Sequence, residues 1–225
     1  MDMTKENIFK KIISREFLCA VFLLASIWLS IVSFINTSPA EQTLSSIGAA
    51  DRVWFFAWGL TSAFGVYLGL RILADRLKFT SKIFNTVALV GSFAVMLPTI
   101  IMGDLIIQKV FHWGGGMTFG IACYLCILIM LVVKSKREKK FSLIIPLILI
   151  AAAIDVAFIF YMGLTALCEI TILVVCEIVL FYTLYIEKAG FADEMNKDII
   201  ENLGELASEA DANDTLLLSD NDTTA

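Results

Sequence analysis

The sequence predicts an all-α fold: an integral membrane bundle of six transmembrane helices with both termini cytoplasmic. Three observations carry this. The first is composition: 59% of the 225 residues are hydrophobic, and mean hydropathy is +0.83. Soluble domains hold about 45–50% apolar residues, and one globular core of this size cannot hide the excess. The second is segmentation. Six apolar stretches lie near 17–36, 53–74, 83–103, 113–133, 142–163 and 165–186. Each is close to the roughly 20 residues that a helix needs to cross a hydrocarbon core. The third is the placement of basic residues, which fixes an orientation.

Short connections make neighbouring helices antiparallel, so the loops alternate between two sides. One side holds the basic N-terminus, Arg71, Arg76, Lys78 and Lys82, the run "KSKREKK" at 134–140, and the tail lysines Lys188 and Lys197. The other holds only Arg52 and Lys109. Basic loops stay in the cytoplasm. The loops at 37–52 and 104–112 and the turn near 163–164 therefore face outward, and the expected location is the cell membrane.

The first span follows Lys5, Lys10, Lys11 and Arg15, as a signal peptide would. Its apolar run, Phe17 to Ile35, exceeds the usual 7–15 residues of such a segment, so an uncleaved helix is expected. The organisation is then a basic N-terminus at 1–16, a membrane domain at 17–186 and a tail at 187–225. The tail carries 11 acids and two lysines, a net charge of -9, while the rest of the chain carries +4. Within the tail, Met195, Ile199, Leu203 and Leu206 fall on one helical stripe. A short amphipathic helix over 192–209 is expected there, offering a surface to a partner protein, with a disordered end. The bilayer is the other expected partner; nucleic acid is not.

Five cysteines, Cys19, Cys123, Cys126, Cys168 and Cys176, all lie in apolar runs, which argues against a disulfide framework. The Cys123-x-x-Cys126 spacing has no companion pair and reads as small buried residues. No cofactor or metal is expected.

Three acids fall inside spans: Asp155 in the fifth, Glu169 and Glu177 in the sixth. An acid at mid-helix costs about 2.5–3.5 kcal/mol on insertion scales, so these side chains should face the bundle. Glu169 and Glu177 share a helix face, and the helical rise puts Asp155 at a depth between them. One acidic cluster follows as an expectation. Three carboxylates cannot all stay ionised there, so the cluster would share protons. It would serve as structural glue or bind a proton, a cation or a substrate amine.

The only histidine, His112, opens the fourth span in "FHWGGGMTFG". His112, Gly116, Gly120 and Cys123 form one helical stripe. Gly116-x-x-x-Gly120 and Gly65-x-x-x-Gly69 are small-residue motifs that let helix backbones approach closely. Trp113 suits an interface anchor. His112 is then a structural cap, a binding-site residue or a catalytic base. Asp104, at the end of the third span, and Glu169 are its expected neighbours.

Some of these segments resemble a known group. Ser45 and Gly48 in "LSSIGAADRVWFF", Pro98 in "LPTIIMGD", and His112, Gly115 and Phe119 in "FHWGGGMTF" look like the DRAM-like superfamily of six-helix membrane proteins. Autophagy modulators and GPI-anchor-remodelling factors belong to that group. The similarity is closer to its prokaryotic domain-of-unknown-function 998 family. It covers about residues 15–186. Gly116 stands where a small residue suffices, and Asp104 follows Pro98 by six residues instead of almost immediately, which leaves its equivalence open. The resemblance implies the fold and its topology, with a lipid-related role as an association.

Three functions follow in order. The first is a non-enzymatic multi-pass protein with an outward-facing polar pocket that engages lipid or a partner. The second is a small proton-coupled transporter using Asp155, Glu169 and Glu177. The third is a membrane-embedded lipid hydrolase or transferase using His112 with Asp104 or Glu169; no G-x-S-x-G or H-E-x-x-H motif supports it.

Overall fold

A computed structural model describes residues 14–36, 43–101, 105–162 and 165–186. The acidic tail with its expected amphipathic helix, and Asp104, lie outside the described residues. Within them the chain is about 90% helical and has no strand. Six helical stretches are long and apolar enough to cross a membrane.

The helices are α1 (Arg15–Asn36), α2 (Leu44–Ala50), α3 (Arg52–Arg76), α4 (Lys82–Ala94), α5 (Met96–Ile100), α6 (Ile106–Ser135), α7 (Ile144–Met162) and α8 (Ala166–Phe181). A 3₁₀ segment, Lys139–Leu143, leads into α7, and a π turn, Tyr182–Ile186, follows α8. In a medium without water every backbone polar group needs an internal partner, which a helix supplies along its own length.

Helix ends are set by local chemistry. Asp51 caps α3, its carboxylate accepting from the Trp54 N–H at 2.9 Å, and Ser81 caps α4 through the Phe84 N–H at 3.2 Å. The third span is broken at Val95, between α4 and α5. Pro98 has no N–H to offer the Ala94 carbonyl four residues back, and its ring crowds that carbonyl. The fourth span is longer than expected. The sequence places residues 106–111 in the loop at 104–112, but α6 begins at Ile106, so His112 sits in its second turn and not at its start. Gln108 Oε1 accepts the Leu105 N–H at 3.2 Å and closes that start. The apolar residues there are long enough to extend a helix beyond the span itself. The outer loop at 37–52 similarly contains α2.

The helix α3 is central, with contacts to α1, α2, α4, α5, α6 and α8. Ser62, Ala63, Gly65, Val66 and Gly69 are all buried on it, round more than one face. A side chain at Gly65 would meet the Leu23 backbone nitrogen at 3.0 Å, so α1 and α3 pack nearly backbone to backbone. At one end, Arg15 pairs with Asp75 at 2.7 Å and Arg76 with Glu16 at 2.8 Å, tying the start of α1 to the end of α3. Arg137 donates to the Leu77 carbonyl at 2.7 Å at the same end. By contrast, α7 rests on α8 and the 3₁₀ segment and touches α6 only sparsely. Among its described side chains only Ile148 and Asp155 are buried.

Candidate functional site

Sparse packing between α6 and α7 leaves a cleft of about 360 Å³, within the range of small-molecule sites. Its floor is the α6 stripe of His112, Gly116, Gly120 and Cys123. The two glycines deepen it: a Cβ at either would meet nothing within 4 Å. The opposite wall is Glu169, Leu173 and Cys176 on α8, residues at i, i+4 and i+7. Asp155, Val156 and Ile159 of α7 form the third side, and the Phe55 and Trp58 rings of α3 close the back. From His112 to Cys123 the stripe descends about 16 Å.

The glycine that makes a close contact is Gly115, one residue round from the stripe. A Cβ there would stand 2.6 Å from Leu97 Cβ, 2.7 Å from the Ala94 carbonyl oxygen and 2.8 Å from Pro98 Cδ. The helix interruption beside Pro98 is thus seated against Gly115, while Gly116 and Gly120 stay open for the cleft. Gly69 has ordinary contacts, 3.4 Å to Leu180 and 3.6 Å to the Cys19 sulfur.

The cleft is mostly apolar, and its open side is apolar too. Trp113, Met117 and Ile121, spaced by four along α6, line it and are each more than half exposed; Val156 and Ile159 face them from α7. This lateral mouth opens between two helices long enough to cross a membrane, so in a bilayer it opens onto hydrocarbon.

Polar groups are few and placed at intervals. The His112 Nδ1 lies 3.1 Å from the Ile101 carbonyl oxygen. A carbonyl only accepts, so Nδ1 carries the proton and the ring is pinned against the end of α5. Tyr124 donates to the Ile148 carbonyl at 3.1 Å and ties α6 to α7 near the cleft's inner end. Glu169 lines the outer part, half-buried. Asp155 lines the middle, is only 5% exposed, and has no hydrogen bond or ion pair from any described residue. Among the described residues no lysine or arginine lines the cleft.

His112, Asp155 and Glu169 are therefore brought to one cavity. Glu177 is not. It is fully buried on the face of α8 turned to α1 and α3, where its Oε1 accepts from Ser26 Oγ at 2.6 Å. Ser26 Oγ is in turn 2.6 Å from Ser62 Oγ. The three acids thus form two groupings, a cleft pair and a serine-bound carboxyl behind it, in place of one cluster. Cys123 lines the cleft, while Cys126 is buried and does not line it. Among the described residues no group of three His, Cys, Asp or Glu side chains is placed to hold a metal.

Phe55, Trp58 and Pro98 were not singled out for the cleft by sequence reasoning. A signal existed in Pro98, which ends a regular helix inside a span. Phe55 and Trp58 carry no such mark, since aromatic residues in an apolar helix look alike whether they face lipid or a cavity. Comparison with protein-family models, with curated proteins and with solved structures returned no match.

Proposed function

We propose that this chain is a multi-pass protein of the cell membrane, with cytoplasmic termini, that binds an amphiphilic molecule taken sideways from the bilayer. The observation that carries this is the lateral mouth between α6 and α7, apolar on both lips and leading to a cleft whose few polar groups lie inside. A hydrocarbon chain can rest between Trp113, Met117 and Val156 without meeting water, while a head group reaches inward. Of the earlier possibilities this is the non-enzymatic one. DRAM-like membership is part of the same proposal. Its support is that Pro98, His112 and Phe119 line the cleft while Gly115 seats Pro98 beside it.

Trp58 offers a direct test, because it lines the cleft and is 3% exposed. In the purified protein with Trp28, Trp54 and Trp113 replaced by phenylalanine, a brominated long-chain alcohol should quench Trp58 fluorescence saturably. Gly120→Leu, which fills the open floor, should remove the saturable part while circular dichroism stays unchanged. Quenching that rises linearly without saturation, or that Gly120→Leu leaves intact, would refute the reading.

A further inference from the structure

Two buried carboxyls in this bundle have different surroundings. One oxygen of Glu177 is buried without a partner among the described residues, and the other has a serine hydroxyl at 2.6 Å with a second serine behind that one. Asp155 has neither, although it is 5% exposed and lines the cleft. A buried acid with no partner costs several kcal/mol as an ion, which favours placing intramembrane acids beside hydrogen-bond donors, as Ser26 is beside one oxygen of Glu177. Asp155 lines a cleft from which an incoming group can supply the missing bonds.

The surroundings define that group. Among the described residues no lysine or arginine lines the cleft, and Glu169 adds a second carboxyl toward its outer end. A phosphate, sulfate or carboxylate head would meet two acids and, among the described lining residues, no lysine or arginine. A neutral head leaves the Asp155 carboxylate uncompensated. An ammonium group supplies both the opposite charge and N–H donors, a charge-assisted pairing about twice as strong as a neutral hydrogen bond. About 10 Å of helix separates Asp155 from the Met162 end of α7, and the adjoining residues Val156 and Ile159 belong to the lateral mouth. A chain attached to that ammonium therefore leaves directly between α6 and α7.

We infer that the cleft selects a long-chain amine, with its ammonium held by the Asp155 carboxylate and its chain directed out of the lateral mouth into the bilayer. This rests on the amphiphile-binding reading above and names its ligand class.

The test uses the same Trp58-only protein and three brominated probes of equal chain length at neutral pH: a primary amine, an alcohol and a carboxylate. The amine should bind roughly tenfold or more tighter than the alcohol, with the carboxylate weakest. In Asp155→Asn the advantage of amine over alcohol should shrink to about twofold or less, with alcohol binding unchanged. Equal binding of amine and alcohol by the native protein would overturn the inference, whatever the stability of the variant. So would an amine advantage that survives in Asp155→Asn. In both cases saturable alcohol binding would leave the broader reading standing, whereas no saturable binding of any probe would remove both. A short water-soluble amine that competes as strongly as the long-chain one would overturn the bilayer route.

Discussion

At the scale of single residues, neighbouring glycines in "WGGGMTFG" have opposite surroundings. Gly115 is pressed against the broken helix at Pro98, and Gly116 faces open space. The Ala94 carbonyl loses its helical partner because Pro98 has no N–H, and this oxygen stands 2.7 Å from where a Cβ of residue 115 would be. A methyl group cannot enter there without moving the backbone of α4 or the proline ring. Gly115→Ala should therefore destabilise by about 1–3 kcal/mol, the usual range for overpacking. Gly116→Ala should be neutral or slightly stabilising, since alanine is favoured over glycine in a helix by about 1 kcal/mol. Denaturation midpoints of the two purified variants check this, and equal midpoints would contradict it. The stripe reading of His112, Gly116, Gly120 and Cys123 was legible from periodicity alone. Which of three adjacent glycines faces a partner was not, because a rotation of about 100° per residue separates them and no polar residue marks the contact face.

At the scale of elements, the end of α3 shows how a tight connection is made without glycine. Lys78 is the only described non-glycine residue with a positive φ, at 51°. The Phe79 N–H donates to the Ala74 carbonyl at 2.8 Å and the Lys78 N–H to the Asp75 carbonyl at 3.1 Å. These two bonds make the left-handed termination that usually carries glycine at this place. The Lys78 side chain is exposed, while the ion pairs that join α3 to α1 use Asp75 and Arg76. Lys78→Gly should thus relieve backbone strain without removing those pairs and raise stability by about 1 kcal/mol. Thermal unfolding in detergent should register a higher midpoint than the native protein, and a lower one would show that the lysine makes a contact that outweighs the strain. Element ends were less legible than element existence. Apolar residues at 106–111 suit a loop near a membrane or an extended helix equally well, and only the hydrogen bonds at Leu105 decide between them. Rotation about the helix axis was hidden for α7 as well, since a helix apolar all round gives no face to read; Asp155 alone marked the side turned inward.

For the whole molecule, the six spans were legible because a bilayer imposes a length on any apolar helix that crosses it, and no comparable rule governs where a cavity opens. The division of the acids into Asp155 with Glu169 and Glu177 apart arises from the way α8 packs between α1, α3, α6 and α7, which depth along a helix does not specify. Orientation is a property of the whole chain and rests on charge. Ten of the twelve basic residues among those described lie at the end where α3 meets α4 and α6 meets α7; Arg52 and Lys109 lie at the other. Cysteine accessibility tests which end is cytoplasmic, because the native thiols of Cys19, Cys123, Cys126 and Cys176 are at most 3% exposed and give little background. With Cys168 replaced by serine, Ala50→Cys and Lys136→Cys introduce one exposed thiol each, at opposite ends of the helices. A membrane-impermeant maleimide applied to intact cells should label Ala50→Cys alone, and Lys136→Cys only after permeabilisation. The reverse pattern would invert the molecule and turn the Glu169 end of the cleft toward the cytoplasm. Labelling of both in intact cells would mean that an even number of spans separates residue 50 from the loop after α6, which would contradict the three intervening spans α3, α4–α5 and α6.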